Sequence, residues 1–498
     1  MRRKGAAVRV WTAVVAAGLG ILPGVPASAS PASDVIMRVA GNANGSNGFE
    51  APGVALSSAL DYPYQIDSDA NGDLYVADLN NLQVAKITPG GNLATIAGTG
   101  ASGPMAPGVA TSSPFRGIQA IAVDSAGNVF VGDPVERRVA KIATNGQLSY
   151  FAGTGVAGTP VAGTATSQPV RAISMAIDPS DNLYISNGTP QLILKVTPAG
   201  QLSVFAGTGT SGVNVPGPAT SSPMAPYMIA ADGAGNVYAG DVARCTILKI
   251  TPGGTLSIVA GNGTCLNTSP TYGSANTALP HPSALDVDSA GNVYVSTWDN
   301  GQIYKITTSG VLSLVAGSGT RAAPTYGSPA LTTDLKAAES LVVNDAGVIY
   351  LAESDNNTID RIGPETPSAP RDVQATPHGT ALELSFLPPI DPGTSPILGY
   401  EASIDGGVHW QTIAVTPTGG RLVGTFTGVS ASSFQVLVRA LNTTGASANS
   451  TAVSVGSGSG SAQLPVTGAA IAGTAGIGLV LLVLGIGLVR ALGGRRHA

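Results

Sequence analysis

Along residues 34–364, short runs of alternating apolar and polar residues are divided by clusters of Gly, Asn, Asp and Pro. One stretch reads Ile121-Ala122-Val123, Val129-Phe130-Val131, Val139-Ala140-Lys141-Ile142 and Leu148-Ser149-Tyr150-Phe151. Side chains that alternate with a period of two place one face in a core and one in solvent, so each run predicts a half-buried strand.

The runs repeat as a unit. An aromatic residue follows a turn-like Asp-x-x-Gly-Asn element at Tyr75, Phe130, Tyr184, Tyr238, Tyr294 and Tyr350, with a period of 54 to 56. Eleven residues after each comes a basic residue: Lys86, Lys141, Lys195, Lys249, Lys305 and Arg361. Twelve residues after each lysine comes the glycine of an Ala-Gly element: Gly98, Gly153, Gly207, Gly261 and Gly317. Four strands per unit in six units predict a six-bladed β-propeller over 34–364. The residues from Asp124 to Asp133, then Lys141-Ile142 and Ala152-Gly153-Thr154-Gly155, resemble the NHL repeat family. That family's Asn-His-Arg reads Asn80-Asn81-Leu82 or Glu136-Arg137-Arg138 here, so no role of its His carries over. The sixth unit stops at Arg361-Ile362, while Val35 to Gly41 offers an unpaired fourth-strand pattern. This amino-terminal strand is expected to complete the last blade and close the ring.

All length variation between units falls in the link from one blade's fourth strand to the next blade's first. That link shares a face with the loop joining strands two and three, whereas the other face carries only tight turns. The variable face is therefore the expected binding surface. Its candidate contacts are Trp298 and Asp299, Arg137 and Arg138, and the related Tyr272 and Tyr326, an inventory suited to stacking on a sugar or packing on a peptide. Asp69, Asp124, Asp178, Asp232 and Asp288 are expected to cap hairpin turns. A second series, Asp78, Asp133, Asn187, Asp241 and Glu353, could ring the channel mouth, where calcium is the ion such oxygens would select. Residues on separate blades are badly spaced for that, and no other cofactor is indicated. The six basic residues are expected to pair with acids between blades or to lie in solvent.

Catalysis has little to rest on. The propeller region holds one histidine, His281, with no GxSxG elbow and no phosphate-binding P-loop. Carboxylate-only metal chemistry is the enzymatic alternative, a wall-displayed hydrolase or lyase. Cys245 and Cys265 flank a predicted hairpin, 246–260, and are expected to form a disulfide.

After Pro364 the period ends. Leu382 to Phe386, Ile397 to Tyr400, Trp410 and Phe434 to Asn442 alternate as a small sandwich, and residues 367–455 resemble a fibronectin type III domain. Phe386 stands at that family's strand-B Trp and Phe434 at its corner Tyr. No Arg-Gly-Asp is present, so the module reads as a spacer, followed by a Gly/Ser tether at 456–463.

The two ends say where the protein works. Arg2, Arg3 and Lys4 precede an apolar run and Ala27-Ser28-Ala29, the order of a secretory signal over residues 1–29. At 464–498, Leu464-Pro465-Val466-Thr467-Gly468 precedes 21 uncharged residues, Ala469 to Val489, and then Arg490, Arg495 and Arg496. The span is about 31 Å as a helix, enough to cross a bilayer. This resembles the LPxTG sorting signals that a sortase cuts between Thr and Gly. The resemblance implies transient membrane insertion, attachment to peptidoglycan through Thr467, and a Gram-positive-type cell wall. Removing 1–29 and 468–498 takes away seven of the 24 basic residues and none of the 29 acidic ones, leaving a net charge of −12. So acidic a chain excludes nucleic acid as a partner, since binding there rests on phosphate neutralisation. The expected protein is all-β: a signal peptide, a six-bladed propeller, a fibronectin type III-like sandwich and a transmembrane sorting helix. Its expected function is adhesion to, or binding of, a protein or glycan; a purely architectural wall component is the remaining alternative.

Overall fold

The computed structural model describes residues 34–42, 53–336, 338–344, 346–429 and 433–456. The signal peptide, the tether beyond Gly456 and the sorting signal with its apolar span lie outside the described residues. No helix among those described is long and apolar enough to cross a membrane.

Six antiparallel sheets form a β-propeller. Their inner strands are Pro63–Ser68, Ala120–Val123, Ala172–Ile177, Pro226–Ala231, Pro282–Val287 and Ser340–Val343. Each packs against the next, and the last against the first, so the ring is closed. We number the blades 1 to 6 in that order. Blades 1 to 5 each carry a two-residue fifth strand beyond the expected four, such as Gly108–Val109 beside Gln147–Ala152. The apolar core is divided into six clusters, one at each junction between blades. Val76, Ala85 and Leu93 of blade 1, for example, meet Val342, Tyr350 and Ile359 of blade 6. Alternation along each strand supplies an apolar set to both neighbours, which is why no blade can be stable alone.

The expected closure is present. Val35–Ala40 pairs antiparallel with Thr358–Gly363 as the fourth strand of blade 6. It is held on its other side by hydrogen bonds from Ile36 N to Ser328 O (3.1 Å) and from Gly327 N to Ile36 O (2.8 Å).

The periodic residues are scaffold. Asp124 Oδ1 accepts from Ala126 N (3.1 Å) and Asn128 N (2.8 Å), closing the first turn, and the other repeated aspartates do the same. Burial opposes the charge on Asp124, but the Asn128 side chain and backbone and Lys141 together hold its carboxyl below the ordinary value. Each repeated lysine lies over its own blade's aromatic ring: Lys141 sits 5.1 Å from the Phe130 centroid and 3.3 Å from Asp124. The lysines therefore pair within blades, not between them, because the lysine and the aromatic are directly opposed across strands two and three. The Ala-Gly glycine ends the fourth strand with a positive φ (+91° at Gly98), and a Cβ there would collide with the Leu82 carbonyl of the loop between strands two and three. A further repeat, missed in the sequence, links the rim. Gly98 N donates to Ala110 O (3.1 Å), and Ala110 N donates to Gly146 O of the next blade (2.9 Å). Ala55, Ala165 and Ala275 make the same bridges.

The Cys245–Cys265 disulfide is formed. It closes a loop whose unfolded-state entropy loss is worth about 3 kcal/mol, and it fits a protein of an oxidising, extracellular setting.

Residues 371–456 form two four-stranded sheets around a shared core of Leu382, Leu384, Phe386, Tyr400, Val436 and Val438. Phe386 is fully buried and Phe434 packs at the core's margin. The last strand, Val453–Gly456, takes in the first residue assigned to the tether. This sandwich docks on the tight-turn face of the propeller. Arg361, the basic residue of blade 6, leaves the pattern of the other blades: Nε donates to Asp391 Oδ1 (2.7 Å) in a pair 3% and 0% exposed. Arg371 Nη1 donates to Ala70 O (3.0 Å), and a Cβ on Gly72 would press on the Ile390 carbonyl at 2.8 Å.

Candidate functional site

An inner strand at a channel is an edge strand, and its outward N–H groups need partners. Here polar side chains of neighbouring blades supply them. Gln65 Oε1 accepts from both Ile121 N and Met175 N (3.3 Å each), Ser174 Oγ from Ile229 N (3.2 Å), and Ser340 Oγ from Ile66 N (3.1 Å). Asp67 Oδ2 accepts from Val123 N (2.8 Å) and Asp286 Oδ2 from Val343 N (2.7 Å). Gln65, Asp67, Asp286 and Ser340 line a channel cavity of about 200 Å³ together with Met175 and Met228.

Asp67 and Asp286 face the channel and lie deep within the ring. Burial pushes Asp67 up to about 6 and Asp286 up to about 7, the latter also raised by the Asp67 charge. Both values exceed the ordinary 3.8, so between about pH 4 and pH 7 the folded protein holds protons that the unfolded chain releases. Stability from this pair is therefore present at low pH and is lost as pH rises through that window. Asp286→Asn, whose amide oxygen can still accept from Val343, is expected to raise the melting temperature at pH 8 by about 2–4 °C and to give no gain at pH 4. Melting curves of both proteins across the range check this; parallel profiles would contradict it.

Above the cavity, on the face with the variable links, an aromatic cluster forms the channel mouth. Tyr64 of blade 1 and Tyr227 of blade 4 meet hydroxyl to hydroxyl across the channel. Tyr62 stacks near Tyr64 (6.3 Å, 28°), and Trp298 packs edge-on to Tyr227 (4.9 Å, 65°). Glu339 sits among them: Trp298 Nε1 donates to its Oε1 (3.1 Å) and the Tyr227 hydroxyl to its Oε2 (3.5 Å). Among the described residues no cation reaches Glu339 in a salt bridge; burial raises its pKa, while the Trp298 bond and, from further off, the Arg321 charge oppose the rise. Burial also pushes Tyr64 up to about 12. The mouth thus presents ring edges and faces beside a carboxylate, a set that can stack on a ligand ring and accept from its hydroxyls.

The structure does not bring the sequence candidates together. Trp298 is at the mouth. Asp299 instead accepts from His281 N (2.7 Å) and contacts His281 Nδ1 (2.9 Å), fixing the loop. Tyr326 is pinned by its hydroxyl to Asp360 (3.0 Å) with Arg38 over its ring. Tyr272 lies at the outer rim of blade 5, 46% exposed. Arg138 donates to Gly153 O (3.1 Å) and Thr154 O (3.0 Å), while the Arg137 side chain has no partner among the described residues.

The second acidic series does not offer a ring of free oxygens. Asp133 accepts from Arg116 N, Gly117 N, Val135 N and Glu136 N (2.7 to 3.1 Å), Asp241 from Ala225 N (3.0 Å) and Ala243 N (3.0 Å), and Asp78 from Asp61 N (2.9 Å). Asn187 accepts from Arg171 N (2.7 Å), and Glu353 takes the Asn356 side chain. Each tethers its own blade's loops, because backbone N–H groups entering the first strand would otherwise be orphaned. Among the described residues, the one group of three side chains in mutual metal-binding reach is Cys245, Cys265 and His281, and its two sulfurs are joined in the disulfide.

The sequence reading missed Tyr62, Tyr64, Tyr227 and Glu339. A signal existed for three of them. Eleven residues before each repeated aromatic stand Tyr64, Gln119, Ile173, Tyr227, Ser283 and Glu339, a position that the repeat leaves free to differ.

No protein-family model matches the chain, and no curated protein matches it. Solved structures do. An auxiliary nutrient binding protein from Bacteroides thetaiotaomicron superposes with a TM-score of 0.50 at 12% identity, over 67% of this chain and 76% of that one. A second auxiliary nutrient binding protein, from Bacteroides ovatus, gives 0.49 at 14% over 67% and 77%. A streptogramin B lyase gives 0.40 at 12% over 66% and 98%. At these identities the likeness is one of fold, and the fold is that of a propeller.

Proposed function

We propose that this chain is an exported surface protein, attached to peptidoglycan through Thr467 after sortase cleavage, whose propeller binds a ligand at the aromatic mouth. A glycan fits the mouth best. The observation that carries the reading is the cluster of Trp298, Tyr227, Tyr64 and Tyr62 around Glu339, a carboxylate that takes the Trp298 and Tyr227 donors and, among the described residues, no salt bridge. Repeated polar residues in this protein hold the scaffold, whereas the mouth draws Tyr64, Tyr227 and Glu339 from a position that differs between units. Docking of the sandwich on the opposite face supports the same reading, since a fibronectin type III-type spacer there leaves the mouth clear of the wall.

The test is a glycan and surface-protein array probed with residues 30–467, disulfide intact, in calcium and in EDTA. A specific glycan hit is expected, equal in both buffers and weakened about 30-fold or more by Trp298→Ala. A hit that Trp298→Ala leaves unchanged, or a metal that copurifies in stoichiometric amount, would turn the reading away from the mouth.

A further inference from the structure

Arginine is scarce here, and nearly every one is committed. Among the described arginines, only Arg137 and Arg171 have side chains without a carboxylate, carbonyl or ring partner. Both line one groove of about 720 Å³ between blades 2 and 3, on the face that bears the aromatic mouth. Val135, Thr159, Thr189 and Pro190 complete its walls. The Arg171 guanidinium lies against Gly188, where a Cβ would stand 3.0 Å from Nη1. The nearby acid, Glu136, is already spent on Arg116 (2.7 Å).

We propose that this groove is a second binding site, for a compact ligand that carries carboxylates. A guanidinium presents a planar fork of donors that matches a carboxylate in a two-bond pair. Two such forks free in one groove form a positive island on a chain whose processed form carries a net charge of −12. The overall field repels anions, so a ligand of this class gains its attraction locally, at Arg137 and Arg171. The groove's size lies within the range of small-ligand sites, and its valine and proline walls set an apolar flank beside the two guanidinium groups. The site shares no residue with the mouth and does not depend on the proposed anchoring.

The test is calorimetric titration of residues 30–467 with citrate, with digalacturonate and with digalacturonate dimethyl ester. Binding of citrate or digalacturonate is expected, with the ester at least about 10-fold weaker and affinity falling as salt rises. Citrate alone would assign the site to free polycarboxylates, and digalacturonate alone to a carboxylate borne on sugar. Arg137→Ala with Arg171→Ala is expected to weaken binding about 100-fold. Arg137→Lys, which keeps the charge and loses the fork, should cost about 10-fold. Trp298→Ala should change nothing, which separates this site from the mouth. Neither acid binding at millimolar concentration in low salt, an ester that binds as well as the acid, or a folded double variant with unchanged affinity would each overturn the proposal.

Discussion

Deletion of residues 34–42 is expected to abolish the cooperative fold of the propeller. The segment is the fourth strand of blade 6, supplied from the amino-terminal side of the chain. Its loss strips the ladder to Thr358–Gly363 and opens a sheet edge there. It also removes Val35, Ile36 and Ala40 from the core, and burial of one large aliphatic side chain is worth about 1.5–3 kcal/mol. The bonds from Ala330 N to Asp34 O (2.9 Å) and Gly41 N to Ala55 O (3.1 Å), which tie the strand to the neighbouring blades, go with it. Against a total stability of about 5–15 kcal/mol, the sum is decisive. Thermal unfolding followed by circular dichroism should show no cooperative transition, and Ile36→Asp should show a large drop in midpoint. A peptide of residues 34–42 added in trans should restore part of the transition by strand addition. A deletion protein that melts like the parent would refute the closure.

The second large effect belongs to Asp391→Ala. Arg361 and Asp391 are both buried, so removal of the carboxylate leaves a cation faced by Pro364 O, the Tyr350 hydroxyl and the more distant Asp34 carboxylate, none of which replaces the lost pair. Breaking such a pair costs about 3–5 kcal/mol. The protein can escape that cost by undocking the sandwich, which would let water reach Arg361. The expected result is a larger radius of gyration by small-angle scattering and new proteolytic cuts near residues 364–370. Arg361→Met combined with Asp391→Leu replaces both charges by apolar groups and is expected to recover most of the docking. An Asp391→Ala protein that stays compact and protease-resistant would show that the interface holds without the pair.

These two effects differ in how far the sequence revealed them. The closing strand was legible because Val35 to Gly41 repeats a pattern whose other five copies sit in register. The turn aspartates and the disulfide were legible for the same reason, since turn chemistry and an even cysteine count are local. The docking pair was not. Arg361 occupies the repeated basic position, and nothing in its own unit says that its partner lies in the next module. Blade 6 also has Asn344 where the other blades have a turn aspartate, so the usual partner of that basic residue is absent. That substitution was the available clue.

The acidic series at Asp78, Asp133, Asp241 and Glu353 was misread for a related reason. Repetition marks these residues as important, but a side chain required in nearly every blade serves what every blade needs, which is closure of its loops, by bonds to backbone N–H groups at the aspartates and to the Asn356 amide at Glu353. The mouth is the converse. Tyr64, Tyr227 and Glu339 come from strands far apart in sequence and share only a position within the unit, so their convergence depends on the ring. Trp298 alone drew notice, because a tryptophan in a polar loop is conspicuous.

Binding of ligand at the aromatic mouth is open to a fluorescence measurement. Residues 30–467 contain two tryptophans, Trp298 and Trp410. With Trp410→Phe, emission reports Trp298 alone. Titration of that variant with the strongest array hit is predicted to shift or quench the emission along the same isotherm that calorimetry gives, and to protect Trp298 from acrylamide. Saturation by calorimetry with Trp298 emission and acrylamide quenching unchanged would contradict the account and place the ligand elsewhere on the propeller.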